Sequence, residues 1–451
     1  MGAYELIKND EGSVVDDGSP NKDLESGKSG SDIPKAAAAA GAAAAAAILT
    51  SSDGKQQRLV SLDVFRGITV ALMILVDDAG AFLPEINHSP WDGVTLADFV
   101  MPYFLFIVGV SLALAYKRVT NKCLATKKAI LRALKLFVLG LVLQGGFFHG
   151  LHNLTYGVDI SSIRLMGVLQ RIAIAYLAVA VCEIWLKTND DVDSGYALLR
   201  GYRCQLLVGL ILTTTYMVLL YGLYVPDWEY QISGERFTDK SFFVKCGVRG
   251  ETGPACNAVG MIDRKILGLQ HLHKRPVYLR TKQCSINSPE HGPLPPDAPS
   301  WCQAPFDPEG LLSSMMAIVT CLIGLQFGHV IVHFKDHKDR IFHWMIPSFT
   351  LLVLAFSLDF YGMSMNKPLY TLSYTCVTAG AAGLLLAGTY VLVDVYGYRR
   401  PSFVVEWMGI HALMIYVLLA CNILPLMIQG FYWRKPQNNL VSSSYLAEAE
   451  S

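Results

Sequence analysis

Residues 311–334 read LLSSMMAIVTCLIGLQFGHVIVHF, twenty-four positions without an Asp, Glu, Lys or Arg. About 20 predominantly apolar residues suffice for a helix to cross the hydrocarbon core of a bilayer. Three more runs of this kind follow the same pattern, at 205–226, 369–393 and 407–433, and the last has His411 as its one ionisable side chain. Five further runs (64–84, 97–116, 130–150, 165–186 and 343–361) are apolar stretches that carry one or a few charges or a basic first turn. The expected fold is therefore all-α: a polytopic membrane helical bundle of about nine spans.

Composition agrees. The chain has 451 residues, 52% apolar and 16% charged, against about 25% charged in ordinary globular domains. Mean hydropathy is +0.36. Lys plus Arg (37) equals Asp plus Glu (37), so no bulk basicity points to nucleic acid.

Short cytoplasmic loops are enriched in Lys and Arg. With the N-terminus cytoplasmic, the inner loops 117–129, 187–204, 335–342 and 395–402 hold thirteen Lys and Arg, while the short outer loops 83–96, 149–164 and 362–368 hold only Arg164 and Lys367. The sequon Asn153-Leu154-Thr155 then falls outside, as a glycosylation acceptor must. Asn87-His88-Ser89, followed by Pro90, hugs the membrane and is expected to stay unmodified. The long loop 225–309 is also lumenal, and its Cys246, Cys256, Cys284 and Cys302 favour two disulfides of undetermined pairing. Residues 1–58, with an alanine run at 36–47, read as a disordered cytoplasmic tail without a removable signal peptide. Residues 59–433 form the membrane domain and 434–451 a polar tail.

Ionisable groups at membrane depth are costly and mark function. They gather toward the outer side: Asp77 and Asp78 at the end of the first span, Glu85 and His88 in the loop after it, and Asp98 at the start of the second span. His149, His152, Arg171 and Asp359 also lie toward that side. An Asp placed like Asp98 is as readily a helix cap. His149 and His152, at i, i+3, lack a third ligand, so no metal is expected. Asp63 and Arg66 suit a helix-end pair, Glu183 can snorkel, and Arg171 needs a partner. The loop 87–93 is short enough to hold His88 between two spans, where an imidazole can act as general base or acyl acceptor.

Five ordered motifs carry a resemblance: Ser61-Leu62-Asp63-Val64-Phe65-Arg66-Gly67, the stretch from His88 to Asp98, Gly167-Val168-Leu169-Gln170-Arg171, Asp307-Pro308-Glu309-Gly310, and the stretch from Asn366 to Tyr374. In these the chain is similar to the heparan-alpha-glucosaminide N-acetyltransferase family, and among its members to the plant type. The resemblance implies a transmembrane acetyltransferase that takes acetyl groups from cytosolic acetyl-CoA to the amine of a lumenal, glucosamine-like sugar. His88 matches the family's active-site histidine. Asp77 matches a second site position, which is Asn in animal members. Asp78, Asp98 and Trp91 are candidate substrate or supporting residues, and Arg171 is a candidate for the CoA phosphates. The expected partners are the bilayer, acetyl-CoA and the amino sugar or glycan, with a homodimer left open. The expected location is a lysosome- or vacuole-like endomembrane compartment. Animal members add a lumenal domain and a preceding span, and the family usually continues past the segment matching 431–433 into one more span, where this chain has a polar tail. The alternatives are a proton-coupled secondary transporter using Asp77, Asp78, Asp98 and His88 as a relay, and an inactive scaffold lacking the final span.

Overall fold

The computed structural model describes residues 59–80, 85–144, 163–187, 194–234 and 237–421. The expected tails, His149, His152 and Asn153 lie outside these residues, as does the side chain of Asp78.

Each of the nine apolar runs holds helix: α1 (Val60–Ala79), α2 (Leu96–Ala115), α3 (Lys122–Gln144), α4 (Val168–Leu186), α6 (Arg203–Gly222, after the short α5, Gly195–Gly201), α8 (Leu311–His333), α9 (His337–Phe360), α10 (Leu372–Tyr390, continued by a π-turn, Val391–Val395), and the pair α11 (Phe403–Ile410) and α12 (Ala412–Ala420). Six of them, α2, α4, α6, α8, α9 and α10, are long and apolar enough to cross a membrane. The pair α11 and α12, bent by 73°, makes a seventh if it crosses as one. Helices α1 and α3 are long, but Asp63, Arg66, Asp77 and Asp78 in the first and five Lys and Arg in the second set them apart. Among the described residues six or seven helices thus have the length and apolarity of a span, where the sequence pattern suggests about nine.

The centre of the bundle is the seam between α2 and α8, which requires glycine. A Cβ on Gly109 would lie 2.0 Å from the Cys321 carbonyl oxygen, and one on Gly324 would lie 2.1 Å from that of Phe106. Without side chains there, the two backbones touch along a small-residue stripe, Gly324-x-x-x-Gly328, which is how apolar helices associate where water supplies no driving force. Helix α10 packs on α9 in the same manner, with Gly383 against Ser348 Oγ and Phe327. By contrast α6 and α9 each bury only 17% of their apolar window, the expected state of lipid-facing helices.

Between α6 and α8 the chain makes a structured excursion. Strands β1 (Tyr224–Val225) and β4 (Val248–Arg249) pair antiparallel around the hairpin of β2 (Trp228–Gly234) and β3 (Phe237–Val244). Helix α7 (Ala258–Ile266) follows. Disulfides join Cys246 to Cys256 and Cys284 to Cys302. The strands pair over short sequence distances within a loop that carries no membrane-length run, so hydropathy alone could not announce them.

At the end of the bundle away from His88, Glu183 does not snorkel. It is fully buried, accepts a bond from Gln205 Nε2 at 2.9 Å, and lies 3.2 Å from His329 Nε2 and 3.4 Å from Lys187 Nζ. Lys187 also donates to the carbonyls of Tyr116 and Lys117. This network ties α2, α4, α6 and α8 together at that end. The Asp63–Arg66 pair is present on α1, at 3.0 Å.

Candidate active site

Helices α2, α4, α8 and α10 start at the same end of the bundle, and their first turns supply Asp98, Arg171, Ser313 and Tyr374. The positive ends of four helix dipoles converge there, a setting that favours anionic groups.

Helix α2 begins with a capping box. Thr95 is the N-cap, and its backbone N–H and hydroxyl both donate to Oδ2 of Asp98, at 3.1 and 3.0 Å. Asp98 is therefore a capping residue and something more. Its Oδ2 also accepts from Ser89 N, while Oδ1 lies 2.8 Å from His88 Nδ1. The carboxylate is fully buried, whereas His88 keeps 34% of its side-chain surface open. Tyr374 donates its hydroxyl to the Asp98 carbonyl.

The loop carrying His88 is fastened on three sides. Asn87 Nδ2 donates to the Gly80 carbonyl, and its Oδ1 accepts from His88 N and Arg280, so the amide of this sequon is occupied internally. Trp91 is buried edge-on to Tyr278 and Phe306 and donates through Nε1 to the Thr252 carbonyl, which locks the loop to the excursion. Asp92 bridges to Asn366, and Gly93 N donates to the Met365 carbonyl.

These bridges bring the turn between α9 and α10 to the histidine. Lys367 Nζ lies 2.9 Å from His88 Nδ1, 3.3 Å from Nε2, and 3.4 Å from Asp98 Oδ1. The segment before α8 closes the far wall. Arg164 grips Asp307 through a two-pronged contact of 2.9 and 2.6 Å and also pairs with Glu309. Burial works against ionisation of Glu309, but Arg164, Arg171 and Lys367 overcome it and hold its carboxyl below the usual range.

His88, Ser89, Val277, Pro308, Glu309, Lys367 and Pro368 enclose a cavity of about 90 Å³. That is far below the 300–1,000 Å³ of pockets that swallow a drug-sized ligand, so the reacting end of a substrate fits and the rest stays outside. His88 titrates below its ordinary 6.5, first because burial disfavours the imidazolium and then because of the Lys367 charge; Asp98 and Glu309 oppose this more weakly. Such a histidine is neutral at pH 7 and able to accept a proton.

The expected site residues fare differently. His88, Asp98 and Trp91 come together, with Trp91 in a supporting place. Asp77 is exposed on the last turn of α1 and is not among the residues lining the cavity. Arg171 is buried beneath the site: it donates to the Pro308 carbonyl and to Ser313 Oγ and lies over the Tyr370 ring, 5.3 Å from its centroid. Its partners are internal, and they brace the Pro308–Glu309 wall. Lys367, Glu309, Arg164 and Asp307 were given no role by sequence reasoning, although three of them sit inside the quoted motifs. Among the described residues no three His, Cys, Asp or Glu side chains gather as a metal site.

Comparison with known proteins points the same way. Residues 58–194 match the family model described as heparan-alpha-glucosaminide N-acetyltransferase, catalytic. Over 384 residues the chain is 28% identical to a mouse (Mus musculus) protein named heparan-alpha-glucosaminide N-acetyltransferase and 27% identical to the human one (Homo sapiens). These alignments take in 80% of this chain, 53% of the mouse protein and 52% of the human one, so the chain spans about half the length of the curated relatives it matches. By these matches the chain is similar to proteins named heparan-alpha-glucosaminide N-acetyltransferase, and the stretch that matches the catalytic model contains both His88 and Asp98.

Proposed function

We propose that the chain is a transmembrane N-acetyltransferase, which moves an acetyl group from acetyl-CoA to the amine of a sugar at His88. One arrangement carries this reading. Asp98 Oδ1, 2.8 Å from His88 Nδ1, favours the tautomer that has its proton on Nδ1 and its lone pair on Nε2. This neutral imidazole lines a cavity of about 90 Å³, sized for the reacting ends of substrates rather than for whole molecules. As the amine nitrogen attacks the thioester carbonyl, it must shed a proton, and Nε2 is the base in reach. Collapse of the tetrahedral intermediate breaks the C–S bond, and the imidazolium returns the proton to the departing thiolate. The alternative order, in which Nε2 first takes the acetyl group and then yields it to the amine, uses the same atom.

The positive-inside pattern supports a cytoplasmic N-terminus, a lumenal His88 and a CoA donor that approaches from the opposite side. An endomembrane compartment of the lysosomal or vacuolar kind suits that topology. The acceptor is read as a glucosamine-like amino sugar, by likeness to the names of the relatives.

The test is acetyl transfer by purified full-length chain, with labelled acetyl-CoA and a panel of amino sugars. Wild type should acetylate at least one member, and His88→Ala should reduce the rate to background. Failure to acetylate any amine, or proton-coupled uptake of the sugar into vesicles without acetylation, sinks the proposal.

A further inference from the structure

The geometry points to Lys367 as a second catalytic residue, whose ammonium stabilises the oxyanion formed when the amine adds to the acetyl thioester beside His88. This rests on the acetyltransfer reading above and adds to it the group that receives the negative charge.

In the addition step the amine lone pair forms the new C–N bond, the carbonyl π pair moves onto oxygen, and the amine proton passes to His88 Nε2. The oxygen is then an anion, two bonds from the nitrogen that faces Nε2. A donor must therefore stand next to Nε2 and open onto the cavity. Lys367 Nζ is 3.3 Å from Nε2 and lines that cavity. Groups aimed at the site of developing charge, in a place shielded from water, contribute the largest single share of many rate enhancements. When the C–S bond breaks, the electron pair leaves with sulfur and the oxygen becomes a carbonyl again. Lys367 neither gains nor loses a proton in the cycle.

A plainer role would be neutralising Asp98, and the geometry goes beyond that. Three N–H and O–H groups, from Ser89 and Thr95, already serve Asp98 Oδ2. Lys367 lies along the imidazole, 2.9 Å from Nδ1 and 3.3 Å from Nε2, and no nearer to the carboxylate, at 3.4 Å. The turn that presents it is also rigidly specified. Tyr370, fully buried, adopts a left-handed backbone with φ of 59°, which is uncommon for a bulky residue. It is kept there by many contacts: Tyr370 N donates to the Lys367 carbonyl, its hydroxyl meets Thr320 at 3.0 Å, and Tyr216 holds the Leu369 carbonyl at 2.7 Å. Strained backbone that its surroundings over-determine is found where a side chain must be aimed.

The charged groups that face His88 are Asp98 from α2, Lys367 from the turn before α10 and Glu309 from the segment before α8. Arg280 of the excursion reaches the same loop through Asn87. Of these, Lys367 is the one whose removal leaves the imidazole with acidic neighbours alone in its immediate shell.

The test uses full-length chain in detergent, as wild type, Lys367→Met and Lys367→Arg, each shown to be folded by its unfolding temperature. Two quantities are read: kcat with labelled acetyl-CoA, and the pH at which His88 becomes half-protonated, from the pH dependence of its modification by diethyl pyrocarbonate. Lys367→Met should lower kcat by about 10²–10³-fold with a smaller change in KM, and should move the His88 midpoint to higher pH. Lys367→Arg should recover part of kcat and restore the midpoint. A folded Lys367→Met protein with kcat within threefold of wild type overturns the proposal. So does a loss of kcat that Lys367→Arg leaves wholly unrescued while the His88 midpoint stays at its wild-type pH. If wild type itself transfers no acetyl group, the acetyltransfer reading fails on its own, and the His88 midpoints still report whether the two residues are coupled.

Discussion

His88 is pulled in opposite directions by two neighbours, and this makes its pH response diagnostic. Burial and the Lys367 ammonium favour the neutral ring, while the Asp98 carboxylate favours the protonated one. A general base works only when neutral, so the acid limb of kcat/KM in the wild type should lie below pH 6.5. Asp98→Asn keeps the shape and removes the charge. It should push that limb to still lower pH, the direction opposite to Lys367→Met, and lower kcat by about 10²-fold or more because the reactive tautomer is no longer held. A pH–rate profile of the variant that overlays the wild type would show that Asp98 serves only as the cap of α2. The sequence made His88 legible, because a histidine in a short loop between two apolar runs has few places to go. It also left Asp98 open between a cap and a site residue, and the structure places it at once in the capping box of α2 and 2.8 Å from His88 Nδ1. Lys367 is illegible as a partner: it is 279 positions away from His88 in the chain and, counted by side of the membrane, is merely one of two cations in the short outer loops.

At the scale of elements, hydropathy located all nine helical runs but could not say how they meet. Which helices form the centre depends on where backbones can approach, and that is decided by single glycines at matched depths. Gly109 and Gly324 face opposite backbones across the α2–α8 seam, and each is closed to any side chain. Gly109→Ala or Gly324→Ala should therefore separate the two helices and cost about 1–3 kcal/mol, as overpacking does. Gly209→Ala on α6 is the control: the nearest atom to its added methyl would be Leu322 Cδ1, at an ordinary 3.7 Å. Unfolding temperatures in detergent decide the matter, and equal losses at all three positions would mean that the seam is not specially tight. Because α2 carries Asp98 and α8 follows directly on Glu309, the same substitutions should lower acetyl transfer as well as stability.

For the molecule as a whole, the excursion between α6 and α8 is joined to the bundle through a buried acid. Asp263, on α7, accepts the Leu311 N–H at the start of α8 through Oδ1 at 2.8 Å, and its other oxygen is buried without a hydrogen-bond partner. Gly310 leaves room for it, since a Cβ there would lie 1.8 Å from Oδ2. Burial pushes the Asp263 carboxyl from 3.8 up to about 7, with Asp307 adding to the rise, while the Leu311 bond, Arg171 and Arg264 resist it. The folded protein therefore holds a proton on Asp263 that the unfolded chain gives up between pH 3.8 and about 7. A folded-state value above the unfolded one means that the stabilisation is fully present below pH 3.8 and is lost as pH rises through about 7. Asp263→Asn keeps the acceptor for Leu311 and removes the titration. The variant should unfold at a higher temperature than wild type at pH 8 and at nearly the same temperature at pH 4, and this difference cancels the other groups that titrate in both proteins. If Asp263→Asn instead lowers the unfolding temperature at pH 8, the carboxylate is charged in the native state and Arg171 and Arg264 outweigh its burial. The expected result would make the junction between the excursion and the bundle firmer at acidic than at neutral pH, beside a site walled by Val277 of the excursion on one side and Glu309 on the other.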